Sequence, residues 1–133
     1  MMSDGEQQEG QIWEAYQFII HHRLNNLINI IDYNQIQISG TTKQVLSLGN
    51  LKLKLISFGF KVLEMNAHDF ADIFEKFDLA KKETKQPVII IANSIPGKGV
   101  SFMENNHEWH GKAPTASEYN QAMKELAIKE KSL

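Results

Sequence analysis

Hydrophobic residues repeat at helical spacing in three segments of the chain, and each segment predicts an amphipathic helix. The first helix covers residues 9–22, the second begins after the N-cap residue Asp69, and the last begins after the N-cap residue Ser117. Their apolar stripes are Ile12, Ala15, Tyr16 and Ile19, then Phe70, Ile73, Phe74 and Phe77, then Tyr119, Ala122, Met123 and Leu126. We expect these stripes to pack against the core, and the Lys/Glu-rich end of the last helix to fray.

Short apolar runs between these helices have the length of β-strands. Residues 27–31 and 88–92 are rich in Leu, Ile and Val, which is typical of parallel strands buried on both faces. A further strand is predicted around Phe60, Val62 and Met65. The alternation of helices and strands predicts an α/β fold with a mostly parallel sheet flanked by helices.

Residues 50–57 are ambiguous, because Leu and Lys alternate there with the period of two that a half-exposed strand would show. A strand at this place would need a partner at an awkward position in the order of the sheet. We therefore favour a helix for this segment.

Length, composition and charge exclude several classes of protein. The 133 residues are enough for one domain with a core, and 42% hydrophobic and 23% charged residues are typical of a globular protein. The net charge of −2 gives no basis for binding nucleic acid or an anionic membrane. The lack of cysteine excludes disulfides and thiolate zinc sites. Because neither a signal peptide nor an apolar run of bilayer length is visible, we expect a cytoplasmic protein.

Three polar loops stand where the predicted strands end, and open α/β sheets bind ligands at such ends. They contain Asp4-Gly5, Asp32-Tyr33-Asn34 and residues 93–99, although the strand expected before Asp4 is absent from the sequence. Asp4, Asn34 and a main-chain carbonyl just after Asn34 offer the oxygen ligands that Mg²⁺ prefers. Gly5 would let the chain approach a diphosphate closely. Asp and Asn are also common turn formers, so the spacing alone leaves both interpretations open.

Several stretches, spread over nearly the whole chain, match one known family in a single register. They are residues 4–15, 26–27, 31–34, 97–104 and 109–114. These stretches resemble the N-terminal, thiamine-diphosphate-binding domain of transketolases, and residues 97–114 are most similar to the short, two-subunit transketolases of bacteria and archaea. The resemblance implies the thiamine-diphosphate-binding fold with its first strands missing, as one partial domain over residues 1–133.

The resemblance also implies which residues hold the cofactor. Asp4, Asn34 and the main chain of Ile36 would coordinate Mg²⁺, and Gly5 would contact the diphosphate of thiamine diphosphate through its backbone. Glu9 matches a glutamate that lies between the two cofactors at the subunit interface.

His110 matches a histidine that lies beside the thiazolium ring and contacts the transferred group. A pKa near neutrality lets a histidine exchange protons with sugar hydroxyls. The alternative is a surface residue beside Trp109, and the pair His107 and His110 is weak evidence for zinc. Residues 97–99 lack the upstream glycine and the following Ser/Thr of a nucleotide P-loop, and we expect a flexible loop over the cofactor.

In the family, the cofactor passes a two-carbon ketol unit from a ketose to an aldose, and the substrates are sugar phosphates. The two-subunit enzymes carry the pyrimidine-binding domain on a separate polypeptide. A pyrimidine-binding transketolase subunit is therefore the expected partner, in a homo- or hetero-oligomer. Because that domain and the first strands are absent from the sequence, we expect the chain to be inactive alone.

Two residues depart from the family pattern, and alternative functions remain open. Ser3 stands where the family usually has glycine and would either be tolerated or crowd the diphosphate. Pro96 replaces a common lysine and stiffens its loop.

The non-enzymatic alternative is a remnant or assembly subunit that keeps the fold without cofactor turnover. Deoxyxylulose-phosphate synthases and 2-oxoacid dehydrogenases also bind this cofactor, but Trp109-His110-Gly111 and Asp32-Tyr33-Asn34 favour a transketolase.

Overall fold

A computed structural model describes residues 1–130 of the chain. The strands are β1 (Met2–Ser3), β2 (Ile28–Tyr33), β3 (Ile36–Gln37), β4 (Gly40–Thr41), β5 (Lys61–Asn66) and β6 (Val88–Asn93). The α-helices are α1 (Gly10–His21), α2 (Thr42–Leu46), α3 (Leu51–Phe58), α4 (Phe70–Lys82) and α5 (Ala116–Glu130), and short 3₁₀ turns cover Gly5–Gln8 and His107–His110. The hairpin β3–β4 and the short helix α2 have no counterpart in the sequence prediction.

Within the described residues, four strands form one parallel sheet in the order β1-β2-β6-β5, and β3 and β4 form an antiparallel hairpin. Met2 lies opposite Ile31, and Ser3 lies opposite Asp32, in the ladder between β1 and β2. The expectation that no strand precedes Asp4 is therefore wrong, since two residues are enough to pair with the end of β2. Because the strands are parallel, their carboxyl ends meet at one edge of the sheet.

Strand β6 is the centre of the core, as its apolar run predicts. All of residues 88–92 are buried. Ile89 and Ile91 pack with side chains from α1 and α3, whereas the other three residues pack on the opposite face, which α4 covers. The sheet is thus covered by helices on both faces, as in other parallel α/β folds.

Strand β2 is less buried than its sequence predicts. Ile31 is fully buried, but Ile28 and Ile30 are half-buried at the margin of the α4 side. Helix α4 packs mainly against β5, which leaves this face of β2 partly uncovered. The strand also continues to Tyr33, so Asp32 belongs to the sheet and not to the loop that follows.

The ambiguous segment forms helix α3, as favoured from the sequence. The Asn50 side chain caps its first turn by accepting a hydrogen bond from the Leu53 N–H (2.9 Å). Leu51 and Leu55 lie four residues apart on the buried face, whereas Leu53 is 60% exposed. The alternation with a period of two is therefore a by-product of Leu residues at helical spacing.

Helix α4 buries only part of its predicted stripe. Asp69 caps the helix, as predicted, by accepting hydrogen bonds from N–H groups of the first turn. Ile73 and Phe77 pack against the core. Phe70 and Phe74 are 78% and 69% exposed, so the packing expected of them is wrong. The face of α4 that contacts the sheet is centred on Ile73 and Phe77, so it includes only half of the predicted apolar stripe.

Helix α5 begins two residues earlier than predicted, and its cap is Thr115 instead of Ser117. The Glu118 N–H donates to Thr115 Oγ1 (3.4 Å), and the Thr115 N–H donates to Glu118 Oε2 (2.7 Å), which is a reciprocal capping box. Of the predicted stripe, Ala122 is buried, whereas Tyr119, Met123 and Leu126 are exposed, so the packing expected of these three is wrong. The prediction that the helix end frays falls partly on residues 131–133, which lie outside the described residues. No helix in residues 1–130 is long and apolar enough to cross a membrane.

Tyr16 fixes the N-terminal turn Gly5–Gln8 to helix α1. Its side chain is 1% exposed, and its hydroxyl donates to Gln7 Oε1 at 2.6 Å. Trp13 Nε1 donates to the Gln7 carbonyl (2.8 Å), and Gln7 Nε2 donates to the Ser3 carbonyl (3.2 Å). Burial raises the pKa of Tyr16 to about 12.

Replacing Tyr16 with Phe should lower the free energy of unfolding by about 1–3 kcal/mol, because the buried Gln7 Oε1 loses its donor. Since the fold raises the Tyr16 pKa from 10.0 to about 12, its stabilisation is complete below pH 10 and is lost as the pH rises towards 12. Urea unfolding across this range measures both effects. Tyr119→Phe, at a 54% exposed position, is the matched control. Equal stability of wild type and Tyr16→Phe at neutral pH would contradict the role of this contact.

Candidate functional site

The turn after β1 holds Asp4 and Gly5 at the carboxyl edge of the sheet. Ser3 and Glu6 brace this turn from both ends. The Glu6 N–H donates to Ser3 Oγ (3.2 Å), and the Ser3 N–H donates to Glu6 Oε2 (2.6 Å). This is the S-x-x-E pattern of a capping box, a signal that was present in the sequence and that our sequence prediction missed. The Ser3 hydroxyl is thereby engaged with the main chain of the turn.

Asp4 is completely buried at this edge. Its N–H donates to the Asp32 carbonyl (3.0 Å), and its Oδ2 accepts from the Gln35 N–H (2.6 Å). Its Oδ1 is buried and has no hydrogen-bond partner. Burial raises the pKa of the Asp4 carboxyl; the N–H groups of Gln35, Gly5 and Asp4 itself oppose that rise, and the nearby Asp32 charge adds to it. A buried carboxylate oxygen without a hydrogen-bond donor is stabilised when it binds a proton or a cation.

The loop after β2 turns sharply at Gln35, whose φ of +62° is in the left-handed region. The turn lets Asn34 Oδ1 accept a hydrogen bond from the Ile36 N–H (3.0 Å). It also directs the Gln35 N–H to Asp4 Oδ2. Asp4 and the loop that contains Asn34 and Ile36 are therefore joined by one hydrogen bond.

The predicted site residues surround two adjoining cavities. Gly5, Glu9, Ile36 and His110 line an open cavity of about 380 Å³. Ile36 also lines a second cavity of about 480 Å³, together with Asn34. The structure thus brings these residues together, and Asp4 lies buried next to them through its contact with the Gln35 loop.

His110 ends the turn His107–His110, which packs against the β3–β4 hairpin. The neighbouring Trp109 ring contacts the Phe102 ring, with centroids 5.2 Å apart, and Lys112 Nζ lies 4.1 Å from the Trp109 ring centroid. The His110 side chain is exposed at the cavity. Among residues 1–130 there is no group of three or more His, Asp or Glu side chains that could hold a metal ion. Asp4 and Asn34 offer one carboxylate and one amide, so this pair is not a group of that kind.

Residues 93–99 and the segment after them fold back on themselves. The Asn105 N–H donates to the Pro96 carbonyl (3.0 Å). Gly97 has a φ of +71°, and a Cβ there would lie 2.6 Å from main-chain atoms of Met103. Only glycine fits such an approach. The segment predicted as a flexible loop is a closely packed turn in this structure.

The sequence prediction did not identify three polar side chains at the site as functional residues: Asp32, Ser94 and Gln37. Asp32 accepts hydrogen bonds from Asn34 Nδ2 (3.2 Å) and from the Ser94 hydroxyl. Gln37 lies against Gly5, where an added Cβ would be 3.4 Å from Gln37 Cδ, and its Nε2 is buried without an acceptor. Asp32 and Ser94 lie within the loops selected from the sequence, but no sequence pattern shows where the Gln37 side chain points.

The fold is that of an open, parallel α/β protein, and Asp4 and Asn34 lie at the carboxyl ends of its strands, where proteins of this class bind ligands. Over residues 1–133, the chain matches the family model described as "Transketolase, thiamine diphosphate binding domain". The chain belongs to the transketolase family, as the sequence resemblance indicated.

Curated relatives include individual subunits of transketolases. The chain is 42% identical over 127 residues to one subunit of the apulose-4-phosphate transketolase of Phocaeicola vulgatus, covering 96% of this chain and 45% of that protein. It is 37% identical over 126 residues to a 6-deoxy-6-sulfo-D-fructose transketolase subunit of a Clostridium species, covering 95% and 46%. The chain therefore spans less than half the length of these relatives.

Solved transketolases share the fold. The Pichia stipitis enzyme in complex with sedoheptulose 7-phosphate superposes with a TM-score of 0.85 at 28% identity, covering 94% of this chain and 18% of that one. The Campylobacter jejuni enzyme gives a TM-score of 0.74 at 30% identity, covering 98% and 24%. The predicted α/β fold with a mostly parallel sheet flanked by helices is confirmed.

The Asp4 carboxyl should make the metal-free chain less stable as the pH rises. The pKa of this carboxyl in the folded chain lies above its ordinary value of 3.8. The protonated carboxyl therefore contributes fully to the free energy of unfolding below pH 3.8, and this contribution is lost as the pH rises through the folded pKa. Relative to Asp4→Asn, which does not titrate there, the wild type should lose stability from about pH 3.8 upwards in EDTA. Urea unfolding of both proteins measures the difference, with the exposed Asp78→Asn as control. A difference that does not vary with pH would contradict this assignment.

Proposed function

We propose that this chain supplies the magnesium- and diphosphate-binding part of a transketolase active site, with residues 1–133 as part of a single domain. The observation that supports this most directly is Asp4 Oδ1, a buried carboxylate oxygen without a hydrogen-bond partner. A divalent cation bound to this oxygen would compensate the buried charge. The family match supports the proposal, because the matched model describes a domain that binds thiamine diphosphate, whose diphosphate oxygens would suit the same cation.

Three groups fit the cation. Asp4 would supply the negative charge, Asn34 Oδ1 a neutral oxygen, and the main-chain carbonyl of Ile36 a third ligand. Mg²⁺ prefers such oxygen ligands and commonly leaves its other positions to water and phosphate oxygens. The hydrogen bond between Gln35 and Asp4 supports this set, because it holds the carboxylate beside the loop that carries the other two ligands.

The diphosphate would lie next to Gly5, where the main chain carries no side chain. The buried Nε2 of Gln37, which lies against Gly5 and lacks an acceptor, is a suitable donor to a phosphate oxygen. Glu9 stands at the N-cap position of α1 with its side chain exposed at the same cavity, where it would meet the partner polypeptide.

Thiamine diphosphate, when bound, supplies the carbon nucleophile that allows a ketose to be cleaved next to its carbonyl. In this chain His110 would exchange protons with hydroxyls of the transferred ketol unit, since it is exposed at the cavity that Gly5 and Glu9 also line. The substrates would be sugar phosphates. The packing of Trp109 on Phe102 would hold the His110 turn in place.

The expected partner is a pyrimidine-binding transketolase subunit, in a homo- or hetero-oligomer. Two relatives carry names that describe one subunit of a transketolase, and this chain spans less than half of each. A transketolase centre needs groups that residues 1–133 do not supply, so we expect this polypeptide to be inactive by itself.

Thiamine diphosphate should bind the purified chain when Mg²⁺ is present and should not bind when EDTA replaces the metal, as measured by calorimetry. Asp4→Ala should abolish this binding, because it removes the charged ligand. Asp78→Ala, which removes an exposed carboxylate from α4, is the matched control and should bind like the wild type. Circular dichroism checks that each variant is folded. Binding that is indifferent to Mg²⁺ or to Asp4, or no binding by the folded wild type, would contradict a site formed in this chain.

Ketol transfer should appear when the missing parts of the enzyme are supplied as separate polypeptides, and not with this chain alone. In the reconstituted enzyme, His110→Ala should lower kcat by about 10²–10⁴-fold, the usual contribution of a general acid–base group. His107→Ala is the matched control. Assembly without turnover would favour the non-catalytic remnant, and turnover by the purified chain alone would refute the proposed division of the active site.

A further inference from the structure

A line of three polar side chains connects the loop after β6 with the loop after β2. The Ser94 hydroxyl donates to Asp32 Oδ1, and Asn34 Nδ2 donates to Asp32 Oδ2 at 3.2 Å. The backbone of Asp32 is fixed by the sheet, because its carbonyl accepts from the Asp4 N–H (3.0 Å) and it pairs with Ala92 of β6. A carboxylate on a fixed backbone therefore faces the Asn34 amide.

The contacts of Asn34 permit one orientation of its amide. Its Nδ2 faces the Asp32 carboxylate, which offers acceptors, and its Oδ1 faces the Ile36 N–H, which is a donor, at 3.0 Å. Rotating the amide by half a turn would place oxygen against oxygen and donor against donor. A carbonyl oxygen has two lone pairs, so the bond from Ile36 leaves one free.

We propose that Asp32, held by Ser94, is a positioning residue that fixes the Asn34 amide with its oxygen, and not its NH₂ group, available to the cation. The inference rests on the proposed magnesium site and adds a residue to it. An amide NH₂ group has donors and cannot ligate a cation, so the orientation decides whether Asn34 is a ligand. Partners that orient metal ligands in this way contribute strongly to metal affinity.

Two substitutions at Asp32 separate orientation from charge. Asp32→Ala removes the acceptor for Asn34 Nδ2. Asp32→Asn removes the negative charge but keeps an acceptor for Asn34, and its own NH₂ group can donate to the Ser94 hydroxyl. If the orientation of the amide matters, Asp32→Ala is impaired and Asp32→Asn is not; if charge alone matters, the two variants behave alike.

The first measurement is NMR of the Asn34 side-chain amide in the metal-free chain, which does not depend on cofactor binding. In wild type and Asp32→Asn, one NH₂ proton should exchange slowly with water because it is hydrogen-bonded. In Asp32→Ala this protection should be lost. The Asn50 amide, whose oxygen caps α3, is the internal control and should stay unchanged. An unchanged Asn34 signal in Asp32→Ala would overturn the inference.

The second measurement is the affinity for Mn²⁺ in the presence of thiamine diphosphate, followed by the electron paramagnetic resonance of free Mn²⁺. Mn²⁺ accepts the same oxygen ligands as Mg²⁺. Asp32→Ala should weaken binding about 10–100-fold, the usual effect of losing such a partner, and Asp32→Asn should stay close to wild type. Equal losses in both variants would overturn the inference. A wild type that binds no Mn²⁺ would instead contradict the proposed function, and the NMR result would still decide the role of Asp32.

Discussion

The hydrogen bond from the Gln35 N–H to Asp4 Oδ2, at 2.6 Å between residues 31 positions apart, is the contact on which the site depends. It joins the turn after β1 to the loop after β2. The contact follows from the sheet, because β1 and β2 are parallel neighbours and their register sets Ser3 opposite Asp32. Asp4 must then emerge beside the Asn34 loop. Two short polar segments that are distant in sequence become one group of oxygen atoms through the order of the strands.

Holding a carboxylate in this place costs stability, and the raised pKa of Asp4 is the expression of that cost. Hydrogen bonds from helix α1 offset this cost in stability. Tyr16 and Trp13, both from α1, donate to the side chain and the carbonyl of Gln7, and these bonds keep the turn Gly5–Gln8 against the core. A polar, partly unsatisfied segment is thus kept in position by well-packed neighbours, as is common where a site conflicts with the rules that stabilise the rest of a fold.

The sequence was most informative where burial is periodic and least informative where a tertiary contact decides. Strand β6 was predictable because it is apolar on both faces, and α3 because Leu51 and Leu55 lie four residues apart. Periodicity shows which residues share a face of a helix, but not which part of that face meets the sheet, so the exposure of Phe70 and Phe74 was not predictable. The residues of the candidate site came from a family resemblance, since Asp and Asn are also ordinary turn formers. The orientation of an amide depends on neighbours that only the fold brings together.

Strand β2 ends two residues later than predicted, at Tyr33, and this difference decides how Asp32 is held. Because the strand continues to Tyr33, the main chain of Asp32 lies inside the sheet: its carbonyl accepts from the Asp4 N–H, and Ala92 of β6 lies opposite it on the other side. Asn34 lies just beyond the ladder, before a residue in the left-handed conformation. The edge of the sheet therefore separates a fixed residue from one whose side chain must be oriented by its neighbours. A carboxylate can orient an amide only if it is itself immobile, and a position inside a parallel ladder provides that immobility in a way that a loop position would not.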